Sequence, residues 1–153
     1  MKKLILALLA TLLLVSGTGC GQKAKKLSCT KSDEAGGKDN VNINYEGDKI
    51  TAISVITEME IEPDMTDFVV GLLSYSYSVY DAVKGITTST VANEDKTVVT
   101  ITINIDYKKL DKEALAKLVE SIGSTDSLAS DFTNTTSMKK YRTKLETEGY
   151  TCK

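Results

Sequence analysis

The chain of 153 residues has no histidine, no tryptophan, one proline, two phenylalanines and three cysteines. Each scarcity excludes something. Without histidine there is no Ser-His-Asp triad and no ordinary zinc site. A cysteine nucleophile would lack an imidazole base, and no Cys-x-x-Cys spacing occurs. Gly36-Gly37-Lys38-Asp39 lacks the spacing, and the hydroxyl residue after lysine, that a phosphate-binding loop requires. No uninterrupted apolar run reaches the roughly 20 residues of a membrane-crossing helix. The residues therefore offer no catalytic constellation, no dedicated metal set and no cofactor motif, and the chain reads as non-enzymatic.

What is present begins at the N-terminus. Lys2 and Lys3 precede the uncharged, leucine-rich run Leu4–Val15, whose length suits the core of an export signal. Ser16-Gly17-Thr18-Gly19 then places small residues before Cys20, an arrangement that looks like a bacterial lipobox. Gly17 stands where the commonest lipobox has leucine. The expectation is a signal peptide over residues 1–19, diacylglycerol on Cys20 and a tether over 20–27 carrying Lys23, Lys25 and Lys26. Two acyl chains supply the two signals that stable anchoring needs. The expected address is the cell membrane, lipid-anchored on the extracytoplasmic side. Removing residues 1–19 takes Lys2 and Lys3 from the 19 bases and leaves 17 against 21 acids, a net charge near −4. That balance lacks the basic field that nucleic-acid binding requires.

Lipidation of Cys20 leaves Cys29 and Cys152 near the two ends of the remaining domain, 28–153. Outside the cytoplasm they are available to pair, or to stay as two thiols. Closing so long a loop contributes up to about 4–5 kcal/mol in the chain-entropy model.

Along the domain, alternation marks Val41–Tyr45, a long strand Lys49–Ile61 and the strongest strand, Thr97–Tyr107. Leu27–Lys31 and Tyr150–Lys153 are short strand candidates at the two ends, and Ile86–Val91 is a threonine-rich strand. In the long strand, Ile53, Val55, Thr57, Met59 and Ile61 share one face. Pro63 ends it, and Asp64 or Thr66 is placed to cap the helix that follows. Met65, Phe68, Val69, Leu72, Tyr75 or Ser76, Val79 and Ala82-Val83 recur at helical spacing. Asp111 and Ser137 are candidate caps for two more helices, with Gly123 and Gly149 as stops. The sum is an α+β domain, an antiparallel sheet of four or five strands with two or three helices packed on one face.

Glu58, Glu60, Glu62, Asp64 and Asp67 form the one acidic cluster with a chemical reading, a low-grade cation site that calcium would suit through its oxygen preference. A solvated strand face explains the same pattern. Tyr75, Tyr77 and Tyr80 cannot all enter the core from one helix, so an exposed member is available for a contact surface.

Several segments together resemble the YehR-type family of small bacterial lipoproteins. They are the N-terminal signal and Cys20, the Tyr45-Glu46-Gly47-Asp48-Lys49-Ile50 hairpin and the strand start at Gly85. Asn104-Ile105-Asp106-Tyr107-Lys108-Lys109-Leu110-Asp111 and the closing Lys144-Leu145-Glu146-Thr147-Glu148-Gly149-Tyr150 complete the set. The family's molecular function is uncharacterised, so the resemblance carries over no catalytic residue, and Cys29 and Cys152 are not part of it. The expected function is an envelope binding or interaction module, using the open sheet face or the Ser124–Thr136 segment for an envelope ligand or protein. The alternative is a carboxylate-dependent enzyme or calcium protein working through Glu58–Asp67.

Overall fold

The computed structural model describes residues 23–33, 36–121 and 137–153. Its frame is one antiparallel sheet built from β1 (Lys25–Ser32), β2 (Lys38–Glu46), β3 (Lys49–Glu60), β4 (Ile86–Ala92), β5 (Val98–Asp106) and β6 (Thr151–Cys152). The strands lie in the order β4-β5-β3-β2-β1-β6. Six strands therefore replace the four or five expected. The difference comes from the ends of the chain. Both short candidates are strands: β1 runs longer than Leu27–Lys31, and β6 is two residues within Tyr150–Lys153.

Register explains the core. Leu27, Ile43, Ile53, Ile105 and Ile86 are direct cross-strand neighbours in one row. Cys29, Val41, Val55, Ile103 and Thr88 make the next. The isoleucines and valines of both rows are buried, and fully burying such a side chain is worth about 1.5–3 kcal/mol. The opposite face carries Ser28, Asn42, Ser54, Asn104 and Thr87 in register. No described element covers it, as period-two alternation requires of a sheet with one wet face. A register shift beside Asn44 and Tyr45 sets Tyr45 opposite Ile50. The bulge turns even-numbered Ile50 into the core (2% exposed), which strict alternation from Ile53 would not have done.

Among the described residues three α-helices are present: α1 (Pro63–Ser78), α2 (Lys112–Ser121) and α3 (Met138–Thr147). A short 3-10 helix, Val79–Ala82, follows α1. Tyr-Ser alternation over 74–80 would equally fit a strand, but the chain is α-helical there to Ser78 and 3-10 from Val79. Leu73 and Tyr77 of α1, Leu115 and Leu118 of α2, and Tyr141 and Leu145 of α3 all join the core on the apolar side of the sheet. α2 begins with Asp111 Oδ1 accepting from the Ala114 N–H at 2.9 Å, as its spacing predicts. Gly123 and Ser124–Thr136 lie outside the described residues.

α3 has a double start. Ser137 Oγ accepts from the Lys140 N–H at 3.3 Å. The hairpin residue Asp48 adds a second cap from across the sheet. Its carboxylate accepts from the Lys139 N–H at 2.8 Å and from the Ser137 hydroxyl at 2.7 Å. These hydrogen bonds, the backbone one first, hold the Asp48 carboxyl below its ordinary pKa. α3 ends at Gly149 (φ +92°), after which the Tyr150 N–H returns to the Leu145 carbonyl at 2.9 Å and sends the chain to β6.

Cys29 and Cys152 face each other across β1 and β6 and form a disulfide. Two backbone bonds between Ser28 and Lys153, 3.0 and 2.8 Å, flank it. The covalent link and the ladder together hold the last strand on the sheet.

Candidate functional site: the outer face of helix α1

Helix α1 starts at Pro63, which suits a first helical position because its missing N–H is not needed there. Glu62 occupies the cap position without a side-chain cap bond, so neither Asp64 nor Thr66 caps the helix. Thr66 does something else. It is fully buried, and its hydroxyl reaches the carbonyl oxygens of Glu62 and Lys96. The next residue, Asp67, meets Lys96 Nζ at 2.6 Å. Lys96 sits in the β4–β5 turn with φ +55°. These contacts fix the rotation of the helix about its own axis.

That rotation decides which side chains are inside. Thr66, Leu73 and Tyr77 face the sheet. Met65, Phe68, Leu72, Tyr75 and Val79 face away, exposed by 50, 64, 53, 78 and 38%. The stripe whose period predicts the helix is therefore largely on its solvent side. The inner face is a second, weaker stripe that contains threonine and tyrosine. Tyr75 is the exposed member of the tyrosine cluster, while Tyr77 and Tyr80 are half-buried with ring centroids 6.5 Å apart. Four residues of α1, continued by Val79 at the start of the 3-10 helix, make an apolar row larger than the scattered exposed hydrophobics of an ordinary surface.

The acidic residues do not converge. β3 ends at Glu60, so Glu62 has left the strand. Glu58 stands opposite Lys38 and Thr100, Glu60 packs beside Gly36, Asp64 lies in the first turn of α1, and Asp67 is paired with Lys96. Among the described residues no three acidic or cysteine side chains come together as a metal set.

A cleft of about 240 Å³ lies where β1, β2 and β3 end, lined by Lys31, Asp33, Gly37, Lys38, Asp39, Thr57, Glu58 and Met59. Asp39 is its best-engaged polar group. Thr57 donates to Asp39 Oδ1 at 2.7 Å, Tyr150 donates to Asp39 Oδ2 at 3.2 Å, and Lys31 lies over the Tyr150 ring. Burial first, and then the Asp39 charge, push the Tyr150 phenol up to about 12. The cleft is smaller than the roughly 300 Å³ at which small-molecule sites begin. It serves to lock β6 and Tyr150 onto the sheet.

The fold and its surface thus define a small α+β domain with one open polar sheet face and one exposed apolar helix. Residues 29–151 match the family described as "Protein of unknown function (DUF1307)", and the chain belongs to that family. Two solved structures share the fold. The NMR structure of the Escherichia coli YehR protein is 18% identical with a TM-score of 0.64, covering 86% of this chain and 92% of that one. The NMR structure of a protein from Streptococcus pneumoniae TIGR4 is 11% identical with a TM-score of 0.63, covering 100% and 98%. No curated protein matches the sequence.

Proposed function

We propose that this protein is an exported, lipid-anchored interaction module of the cell envelope that works by docking and not by catalysis. The single observation that carries the reading is the apolar row Met65-Phe68-Leu72-Tyr75-Val79, held outward by the Thr66 and Asp67 contacts to Lys96. An exposed row of that kind costs solubility and is retained where a partner covers it. Membrane attachment through Cys20 follows from the signal-like run and the lipobox, and the acylated cysteine would place α1 on a domain held by a short tether. Among the described residues no helix is long and apolar enough to cross a membrane.

Two measurements test this. Cys20→Ala in the producing bacterium abolishes labelling by a clickable fatty acid and moves the protein from the membrane to the soluble fraction. Unchanged labelling and unchanged sedimentation would refute the anchor. A photo-crosslinking residue at position 68 yields a covalent protein adduct in intact cells, whereas one at exposed Thr143 on α3 does not. Absence of any adduct at position 68 removes the docking surface.

A further inference from the structure

The occupant of that surface can be argued from the helix itself. Resting on the docking reading, we propose that the row on α1 is covered by α1 of a second copy of this chain, packed antiparallel about a twofold axis beside Gly71 and Leu72.

Spacing is the first argument. Met65, Phe68, Leu72, Tyr75 and Val79 recur at three and four residues in alternation, the seam by which one helix meets another. Glycine is the second. Gly71 lies in the interior of an exposed helix, where it costs about 1 kcal/mol relative to alanine. A Cβ placed on it would meet nothing within 4 Å, so packing within the chain does not require glycine there. Gly71 borders the seam next to Leu72 at mid-helix, where a twofold partner's backbone would come closest.

Charge is the third argument. α1 holds Asp64 and Asp67 near its start and neither lysine nor arginine anywhere. A helix lying on an anionic lipid surface carries bases along its polar face, and this one does not. In a parallel pair the two Asp64 carboxylates would meet and repel, beside two Asp67 carboxylates each already paired with Lys96. An antiparallel pair with its axis at position 72 sets the two Asp64 about 24 Å apart and the two Asp67 about 15 Å apart along the helix at 1.5 Å per residue, and also opposes the two helix dipoles.

Area agrees. At about 150–250 Å² for a large side chain, the exposed fractions amount to on the order of 500–600 Å² per copy. Two copies then bury roughly 1,000–1,200 Å², which reaches the lower bound of a specific interface. Growth of the sheet at β4 is a weaker route, because Asp81 already takes the Thr88 N–H at 2.6 Å and its hydroxyl at 3.1 Å. A carboxylate seated on that outer edge excludes an incoming strand.

Disulfide trapping of the full-length chain in intact cells tests the geometry. Around an axis at position 72, residue 72 faces its own counterpart and residue 65 faces 79. Leu72→Cys is expected to give, on oxidation, a reductant-sensitive band at twice the mass. Met65→Cys and Val79→Cys on separately tagged, co-expressed chains link to each other, whereas Met65→Cys alone does not. Adding Tyr75→Lys to Leu72→Cys reduces the linked fraction at least tenfold. Circular dichroism of Tyr75→Lys, a substitution at a largely exposed site, checks that the fold persists. If it does not, Gly71→Gln replaces it, with the same loss expected. Linkage of Met65→Cys to itself overturns the antiparallel arrangement. Failure of Leu72→Cys to self-link, with an adduct at position 68 to a different protein, overturns the second copy and leaves the docking reading intact. Failure of both removes both.

Discussion

Gly85 shows how much one residue can decide. Its φ is +92°, a region that costs an L-residue about 1–2 kcal/mol. A Cβ there would lie 2.6 Å from the Leu110 backbone nitrogen and 2.7 Å from its Cα. The close approach is used, because the Gly85 carbonyl accepts from the Asp106 N–H at 2.8 Å while the Lys84 carbonyl accepts from the Asp111 N–H at 2.9 Å. Strand β4 and the start of α2 are thereby joined backbone to backbone. Gly85→Ala is expected to destabilise the fold by about 2–5 kcal/mol, strain and overpacking combined. Urea denaturation at constant m-value measures it. A loss below about 0.5 kcal/mol would show that the Leu110 segment moves aside without cost.

At the scale of elements, the hairpin between β2 and β3 and the helix α3 are one unit, since Asp48 of the turn caps the helix. Asp48→Ala is expected to lower the melting temperature near neutral pH. The pH dependence has a definite sign. The folded pKa of Asp48 lies below its ordinary 3.8, so the contribution is complete above that value and fades as the pH falls through the folded one. Wild type and Asp48→Ala therefore melt apart at about pH 7 and draw together as the pH falls through the lowered folded pKa. A gap that persists at the acid end would assign the effect to something other than the carboxylate. α1 teaches the complementary lesson. Its period was legible and its orientation was not, because helical spacing says that a stripe exists and not which way it turns.

For the whole molecule, the Cys29–Cys152 bond closes 123 residues and ties β6 to β1. In the chain-entropy model a loop of that length is worth about 4–5 kcal/mol, with about 2–5 kcal/mol the usual measured range. Cys152→Ser is the cleaner probe, because Cys29 is wholly buried and remains a tolerable apolar thiol. We expect a loss within that range by chemical denaturation, and no thiol reactive at Cys29 or Cys152 in the unreduced, denatured wild type. Full reactivity at both positions would exclude the bond.

The amino-acid sequence by itself determined the α+β class, the alternating strands, the caps at Asp111 and Ser137 and the short-range stop at Gly149. These depend on neighbours within a few residues, where period and turn chemistry act directly. It also determined that histidine chemistry is excluded. Only the tertiary structure decided that the strands number six, that Ile50 turns inward at a bulge and that Asp48 caps a helix 89 residues away. It alone dispersed Glu58, Glu60, Glu62, Asp64 and Asp67 between a strand end and a helix start. Above all it turned Met65, Phe68, Leu72, Tyr75 and Val79 outward. That choice rests on a buried threonine and a lysine turn 30 residues apart, and the meeting of such distant groups is a property of the folded chain and not of any stretch within it.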